Sequence, residues 1–412
     1  MKTFPILFAL ALFLSTAGPA LADEAPPVPT FTFSLQERAR LDWTPDFDWD
    51  ASTAGSWSIG NRARVGVKAA LGPVSAFVQI QDVRRWGSEF NPANQGEGTL
   101  FDWSADGLDV HQAYGALTSP FGLELRIGRQ EINWQGQRLI GAVGWTHQGR
   151  SFDAVRLRWD GTPAGAEFFY ALLLDRPVSA EDDGRPLEDT HLLAVRGGPR
   201  VAKALTLDGL AIVRIDTAAS EVLGTFGAHA KGEVGPLRYE IEGYGQAGTR
   251  GASTVAAYLF GVRAGAAIPE AAHMYVGGGL DLVSGDPDPT DDAIHTFDTL
   301  YATNHKFYGH ADRYLALPKH TAGQGLVDGL FSWRVKPVDG LAVKVDVHAF
   351  AAPAPADADR AFAGVETDVE VKVTPIKNFS VSAGVWIYAP GPLHGADGEP
   401  EAGGFLMTDF RL

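Results

Sequence analysis

The chain of 412 residues contains no cysteine. Small exported domains lean on disulfides because they bury too little apolar surface without them. A chain of this length has no such need, and thiolate metal sites and cysteine nucleophiles are excluded. Methionine is scarce, at 3 residues. Long apolar runs are missing too: beyond the N-terminal segment no stretch approaches the roughly 20 residues of a spanning helix, which excludes a helical membrane protein. An excess of basic charge is also absent. With 34 Lys and Arg against 50 Asp and Glu the net charge is −16, whereas general affinity for nucleic acid needs clustered Lys and Arg. There is no G-x-S-x-G elbow, no H-E-x-x-H, no phosphate-binding glycine loop and no zinc-like His spacing. An enzyme is not expected, and neither is a cofactor.

What is present begins at the N-terminus. Lys2 supplies a positive charge, Phe4 to Leu14 form an apolar core, and Ala20-Leu21-Ala22 fits a signal-peptidase site. Residues 1–22 are therefore expected to be a signal peptide, with the mature chain starting at Asp23. Residues 23–30 are expected to be a short periplasmic segment, too short for the plug domain of a TonB-dependent receptor. The remainder, 31–412, reads as one unit.

That unit alternates with period two almost throughout. In residues 31–43 one face carries Phe31, Phe33, Leu35, Ala39, Leu41 and Trp43, broken only by Glu37, and the other carries polar side chains. Residues 57–71 repeat the pattern, with Val65 and Val67 on the apolar face and Arg62 and Arg64 on the polar one. Eighteen candidate strands follow, from one near Phe31 to one near Phe405, with marginal starts near His191, Leu210 and Leu326. Even-numbered connections are tight, as at Gly72-Pro73 and Pro375–Asn378, and odd-numbered ones are long, as at 84–107, 131–151, 175–190 and roughly 285–324. Short turns at one end, long loops at the other and an even strand count imply an all-β fold: a transmembrane antiparallel up-and-down barrel with periplasmic turns and extracellular loops. Only a helix or a closed barrel satisfies every backbone group in lipid. Strands with one charged face share no common core, so that face is expected to line water. Trp43, Trp57, Trp159, Trp333 and Trp386 are expected in the interfacial aromatic girdles.

With the apolar face outward, the early strands point Arg38, Arg40, Arg62, Arg64, Lys68, Arg126, Arg156 and Arg158 inward against Asp42 and Glu124. Later strands reverse the balance, with Glu240, Glu242, Asp281, Asp346, Glu366, Asp368 and Glu370 against Arg238, Lys344 and Lys372. Rings of Arg or Lys in a pore favour anions, and the planar guanidinium suits carboxylates. The alternative is that the basic wall pairs with the acidic one across the lumen and only holds the barrel's shape.

Several ordered motifs then accumulate: Arg62-x-Arg64-x-Gly66, Gln79-x-Gln81-Asp82-x-Arg84-x-Trp86-Gly87, His111-Gln112-Ala113-Tyr114, Gly128-Arg129-Gln130-Glu131, Arg138-Leu139-Ile140-Gly141, Trp145 and Gly149-Arg150-x-Phe152-Asp153. Further on come Ser284-Gly285-Asp286, Thr296-Phe297-Asp298 and Asn304-His305-Lys306. Together they resemble the bacterial alginate export porins over most of residues 31–412. The resemblance implies an eighteen-stranded outer-membrane barrel whose electropositive lumen passes an anionic polysaccharide or oligosaccharide by diffusion. It also implies that Arg62, Arg64, Arg84, Arg129, Arg138 and Arg150 guide uronate carboxylates, with Asp82, Glu131 and Asp153 as countercharges. A general or small-anion porin is the other reading of the same features.

A weaker candidate is the acidic loop with Asp286, Asp288 and Asp291, near His295, His305, His310 and His320, because oxygen-rich loops can hold a divalent cation. Outer-membrane lipid, an anionic saccharide chain and periplasmic export components are the expected partners, and a monomer is the expected state.

Overall fold

The computed structural model describes residues 28–44, 56–86, 90–91, 96–97, 108–161, 163–174, 189–394 and 398–412. The expected signal peptide at 1–22 lies outside them. No helix among the described residues is long and apolar enough to cross a membrane, and the described helical segments are single 3₁₀ turns.

Eighteen long antiparallel strands form one sheet: β1 Thr30–Thr44, β2 Ser56–Leu71, β3 Val74–Arg85, β4 Asp109–Thr118, β5 Leu123–Gln130, β6 Phe152–Asp160, β7 Ala164–Leu174, β8 Thr190–Ala202 and β9 Leu205–Asp216. They continue as β10 Glu221–Val234, β11 Leu237–Arg250, β12 Ser253–Ile268, β13 Met274–Val283, β14 Leu326–Val338, β15 Leu341–Ala351, β16 Phe362–Ile376, β17 Phe379–Pro390 and β18 Glu401–Arg411. Each strand pairs with its predecessor, and β18 returns to β1 with Gln36 opposite Arg411 and Trp43 opposite Gly404. Leu35 and Leu412 exchange backbone hydrogen bonds of 3.1 and 2.9 Å to finish the seam. Closure leaves no sheet edge, the condition for burying backbone in lipid. Strands of this length span a bilayer when tilted.

Alternation sets the two faces as expected. Val65, Val78, Ile80, Phe226, Tyr258, Phe260 and Ile387 are exposed on the outside, and Trp57 and Trp159 stand exposed near strand ends. Leu125 shares the parity of the exposed Ile127 but is covered, flanked in register by Leu117 and Leu157. Gly72 adopts φ +55° in the two-residue turn before β3, a conformation that glycine alone adopts without strain.

Three expectations need correction. The long-loop end is not uniformly long: β9 and β10 are joined by residues 217–220, and β11 and β12 by Gly251-Ala252 alone. Trp386 is no girdle residue; it points inward and is 3% exposed. Finally, the lumen is not simply a wetted wall. A core of Phe152, Phe169, Leu192, Ile212, Leu259 and Phe350 fills part of it, packed on loop residues Ile132, Trp134, Ile140, Phe297, Tyr308 and Leu317. The inward faces of these strands alternate like the others, but their inward residues are apolar because a loop, not water, covers them.

Candidate functional site: a plugged lumen between two basic cavities

Two long loops enter the barrel. The 131–151 loop carries Ile132, Trp134, Leu139 and Ile140, apolar groups that water would not tolerate exposed on a loop. They sink against Phe152, Phe169 and Leu192 of the wall. The indole Nε1 of Trp134 donates to Glu167 at 2.6 Å, satisfying its one polar atom. The 284–325 loop contributes Phe297, Tyr308, Tyr314 and Leu317 to the same core. Backbone bonds fuse the two loops: Gly141 N–H donates to Tyr301 C=O at 2.9 Å, Tyr301 N–H to Leu139 C=O at 2.9 Å, and Thr303 N–H to Gln137 C=O at 3.0 Å. Arg150 adds a donor to Tyr301 C=O at 2.5 Å and one to Gly141 C=O at 3.2 Å.

The charged walls hold this plug. Arg38 donates to the carbonyls of Gly144 and Thr146 at 2.8 and 2.7 Å, and Arg62 to those of Thr146 and His147 at 3.0 and 3.2 Å. Arg64 reaches Gln81, Glu131 and the carbonyl of Gln148. Arg40 donates to Trp145 C=O at 2.7 Å, pairs with Asp42, and lies 4.2 Å from the centroid of the Trp145 ring. Thus β1 and β2 grip loop carbonyls with guanidinium groups. The acidic wall does the converse: Glu366 accepts from Ala311 N–H at 2.7 Å and Asp368 from His310 N–H at 3.2 Å. Each wall holds the loop group of opposite polarity. Neither the open basic conduit nor direct pairing of the two walls across the lumen describes this arrangement.

The remaining arginines fall into three places. Arg138, fully buried, inserts from the first loop between Glu242 and Asp281 at 2.6 and 2.9 Å and donates to Tyr308 at 3.2 Å. Burial alone disfavours its cation, but Asp281 and Glu242 hold its pKa above the ordinary value. Arg126 pairs with Glu124 over the Tyr114 ring, and Arg156 pairs with Glu167, both on the inner wall. Arg84 with Asp82, and Arg129 with Asp153, lie on the outer face instead, in bidentate pairs. Their positions follow from parity: Asp82 and Arg84 continue the face of Ile80, and Arg129 that of Ile127. Glu131 does sit in the lumen, accepting from Arg64 and from His111 at 2.7 Å. Burial raises its pKa, but these two partners outweigh that and leave it lowered.

Two cavities remain open. The one at the long-loop end measures about 1040 Å³ and is lined by Arg40, Arg85, His147, Arg313, Lys319 and His394 among others. The one at the short-turn end measures about 1660 Å³ and is lined by Arg238, Lys306, Arg334, Lys336, Lys344 and Lys372, with Asp339 and Glu370. Both touch Trp145 and His310. Trp145 stacks on His305, meets Phe405 edge-on at 4.9 Å, and Phe405 stacks on His310 at 5.7 Å. These four rings therefore form the partition between the cavities. Burial, with His305 and Lys344 nearby, pushes His310 down to about 3, so the ring is neutral at ordinary pH.

Of the ten arginines singled out from sequence, Arg40 is a lumenal residue that also lines a cavity, and Arg84, near the end of its strand, touches the same cavity although its parity is outward. The cations facing open space are mostly others. Parity could have found Arg334 and Lys336, which share a face with Asp328; nothing in the alternation reveals Arg313, Lys319, His305 or His310, which lie on a loop. The acidic loop places Asp286, Asp288 and Asp291 on the surface, where each caps a backbone N–H two residues on. Among the described residues no group of three or more metal-ligating side chains comes together.

A closed eighteen-stranded barrel with in-folded loops defines an outer-membrane porin-like channel. The chain belongs to the Alginate export family, whose profile matches residues 29–317. Its fold is similar to that of Acinetobacter baumannii OccAB4, at TM-score 0.64 and 11% identity, covering 94% of this chain and 98% of that one. It is also similar to Pseudomonas aeruginosa OccK8 (OprE), at TM-score 0.62, 12% identity, and 93% and 98% coverage. Pseudomonas aeruginosa OccK3 (OpdO) gives TM-score 0.60, 15% identity, and 93% and 95% coverage. No curated protein matches the sequence.

Proposed function

We propose that this outer-membrane channel passes an anionic saccharide chain, alginate-like in carrying a carboxylate on its sugars. The observation that carries the reading is the pair of cavities, extracellular at the long-loop end and periplasmic at the short-turn end, both rich in Arg and Lys although the protein is acidic overall. Concave, basic, water-filled walls concentrate anions at the entrance to a pore. The buried arginines support the reading indirectly, by fixing the loops that shape the path. Export to the outer membrane by an N-terminal signal belongs to the same proposal.

A small-anion porin is the second reading, favoured by the ring partition at Trp145 and His310, which a thick polymer would have to displace. Planar-bilayer conductance tests both. An anion-selective reversal potential together with block by uronate oligomers is the expected result. Anion selectivity without oligouronate block would favour the small-anion porin, and cation selectivity would overturn both.

A further inference from the structure

The uncompensated positive charge of the lumen is concentrated at the periplasmic mouth. Arg334 on β14 lies directly across the sheet from Lys344 on β15. Like charges in that relation destabilise a sheet; Arg38 and Arg62, which also stand opposite each other, are satisfied by loop carbonyls, whereas among the described residues no such acceptor meets Arg334. Lys344 pairs with Asp346 at 2.6 Å, and Arg334 has the Tyr275 ring beneath it, 5.5 Å away. Among the described residues Arg334, Lys336 and Lys372 make no ion pair. Lys306 reaches the same cavity from the loop, donating to Gly136 C=O at 2.9 Å. The extracellular cavity carries fewer such cations: Arg40 is paired with Asp42 and Arg313 with Glu401, and Lys319 is without an ion pair among the described residues.

We infer that the periplasmic cavity is a binding site for a segment of chain carrying several carboxylates, at which an oligouronate is taken up before it meets the Trp145–His310 partition. Strand spacing sets the geometry. Arg334 on β14 and Lys344 on β15 stand about 5 Å apart, and Lys372 on β16 lies diagonally from Lys344, about 7–8 Å away, a spread suited to a chain with carboxylates at successive sugars. The Tyr275 ring lies beneath the guanidinium of Arg334, 5.5 Å away, and both side chains line the cavity. Glu370, opposite Lys344 in register, limits the positive charge on the β16 side and so favours entry along β14. The inference rests on the reading of the channel as a conduit for an anionic saccharide.

The experiment is single-channel recording of the full chain with a tetrauronate added to one side at a time. Because the chain has no cysteine, Asp291→Cys tagged with a bulky thiol reagent reports which side is extracellular. Block from the periplasmic side should have an on-rate about tenfold above that from the extracellular side, falling as salt screens the cations. The triple variant Arg334→Gln, Lys336→Gln and Lys372→Gln should lose that advantage while retaining extracellular block, and Arg334→Lys should keep it. Equal on-rates from the two sides in the wild type, or undiminished periplasmic block in an assembled triple variant, would overturn the inference and leave the anionic conduit standing. Absence of block from either side with no anion preference would remove the conduit reading itself, and this site with it.

Discussion

Trp145 lies flat on His305, with ring centroids 4.1 Å apart and planes inclined by 8°. Asp312 accepts from both rings, at 3.2 Å from the indole Nε1 and 2.5 Å from the imidazole Nδ1. Because Trp145 belongs to one in-folded loop and His305 to the other, this stack is both a seam of the plug and part of the wall between the cavities. Widening the path means separating these two rings.

Trp145→Ala should therefore raise single-channel conductance without altering ion preference. Removing a packed indole costs about 3–5 kcal/mol, here drawn from the plug and not from the barrel's own ladder. The barrel should still assemble and run as a heat-modifiable band. Conductance equal to wild type would place the narrowest point elsewhere.

Arg138→Met removes one partner from a buried cluster and leaves Glu242 and Asp281 facing each other, with Arg263 as their remaining cation at 3.2 and 2.6 Å. Breaking such a pair costs about 3–5 kcal/mol. Arg129→Met breaks an outward, solvent-accessible pair worth about 0–1 kcal/mol. Thermal unfolding in detergent should fall clearly for the first and barely for the second. Equal shifts would contradict the placement of Arg138 as the anchor of the first loop.

The barrel itself was legible in sequence because alternation has one physical cause: successive side chains point to opposite faces. Strand starts such as Val74, Leu123, Phe152, Leu237, Met274, Leu326, Leu341 and Phe379 coincide with those observed. At β9 the sequence suggests Leu210 and the strand begins at Leu205, since Leu207 and Gly209 continue the pairing with Ala230 and Ala228. The site was harder to read. Inward parity identifies Arg38, Arg62 and Arg64 as lumenal, but it carries no information about a loop folding over them. The apolar residues Ile132, Trp134 and Ile140 in a nominally extracellular loop were the one signal that this loop is covered. The family resemblance implies a place in the conduit for Arg84 and Arg129, whereas parity puts both on the outward face.

Register can be tested on the outer face. Val65 is half exposed toward lipid, and an arginine near the bilayer midplane costs about 2–4 kcal/mol. Val65→Arg should impair assembly. Gln79→Arg, on the inner face of the neighbouring strand, should be tolerated, because Gln79 stands between Gly66 and Gln112 across the sheet and accepts from Gln112 at 3.1 Å. Equal tolerance at both positions would mean that the faces are exchanged, the consequence of a one-residue slip.

Acid should loosen the plug before it unfolds the barrel. His147 is pushed down to about 3 by burial and by Arg40, Arg38, Arg62 and Arg85, and His310 likewise to about 3. Both loop histidines are neutral in the folded state where an unfolded histidine, with its ordinary value of 6.5, begins to take up a proton. A depressed folded value means that the stabilisation is complete above about pH 6.5 and is lost progressively as pH falls toward 3. The loss is at most about 1.4 kcal/mol per pH unit for each histidine, so going from pH 6.5 to pH 5 removes up to about 2 kcal/mol apiece. Glu131, whose value is lowered, acts in the same direction but only below the ordinary carboxylate range near 4.5, so the histidines govern the window from pH 6.5 to 5. Conductance should rise and the thermal transition of the loops should fall across that window. His147→Gln together with His310→Gln should flatten both responses while leaving the acid response below pH 4.5. An unchanged slope in the double variant would show that the plug is not held by keeping these two rings neutral beneath Arg38, Arg40 and Arg62 on one wall and beside Lys344 on the other.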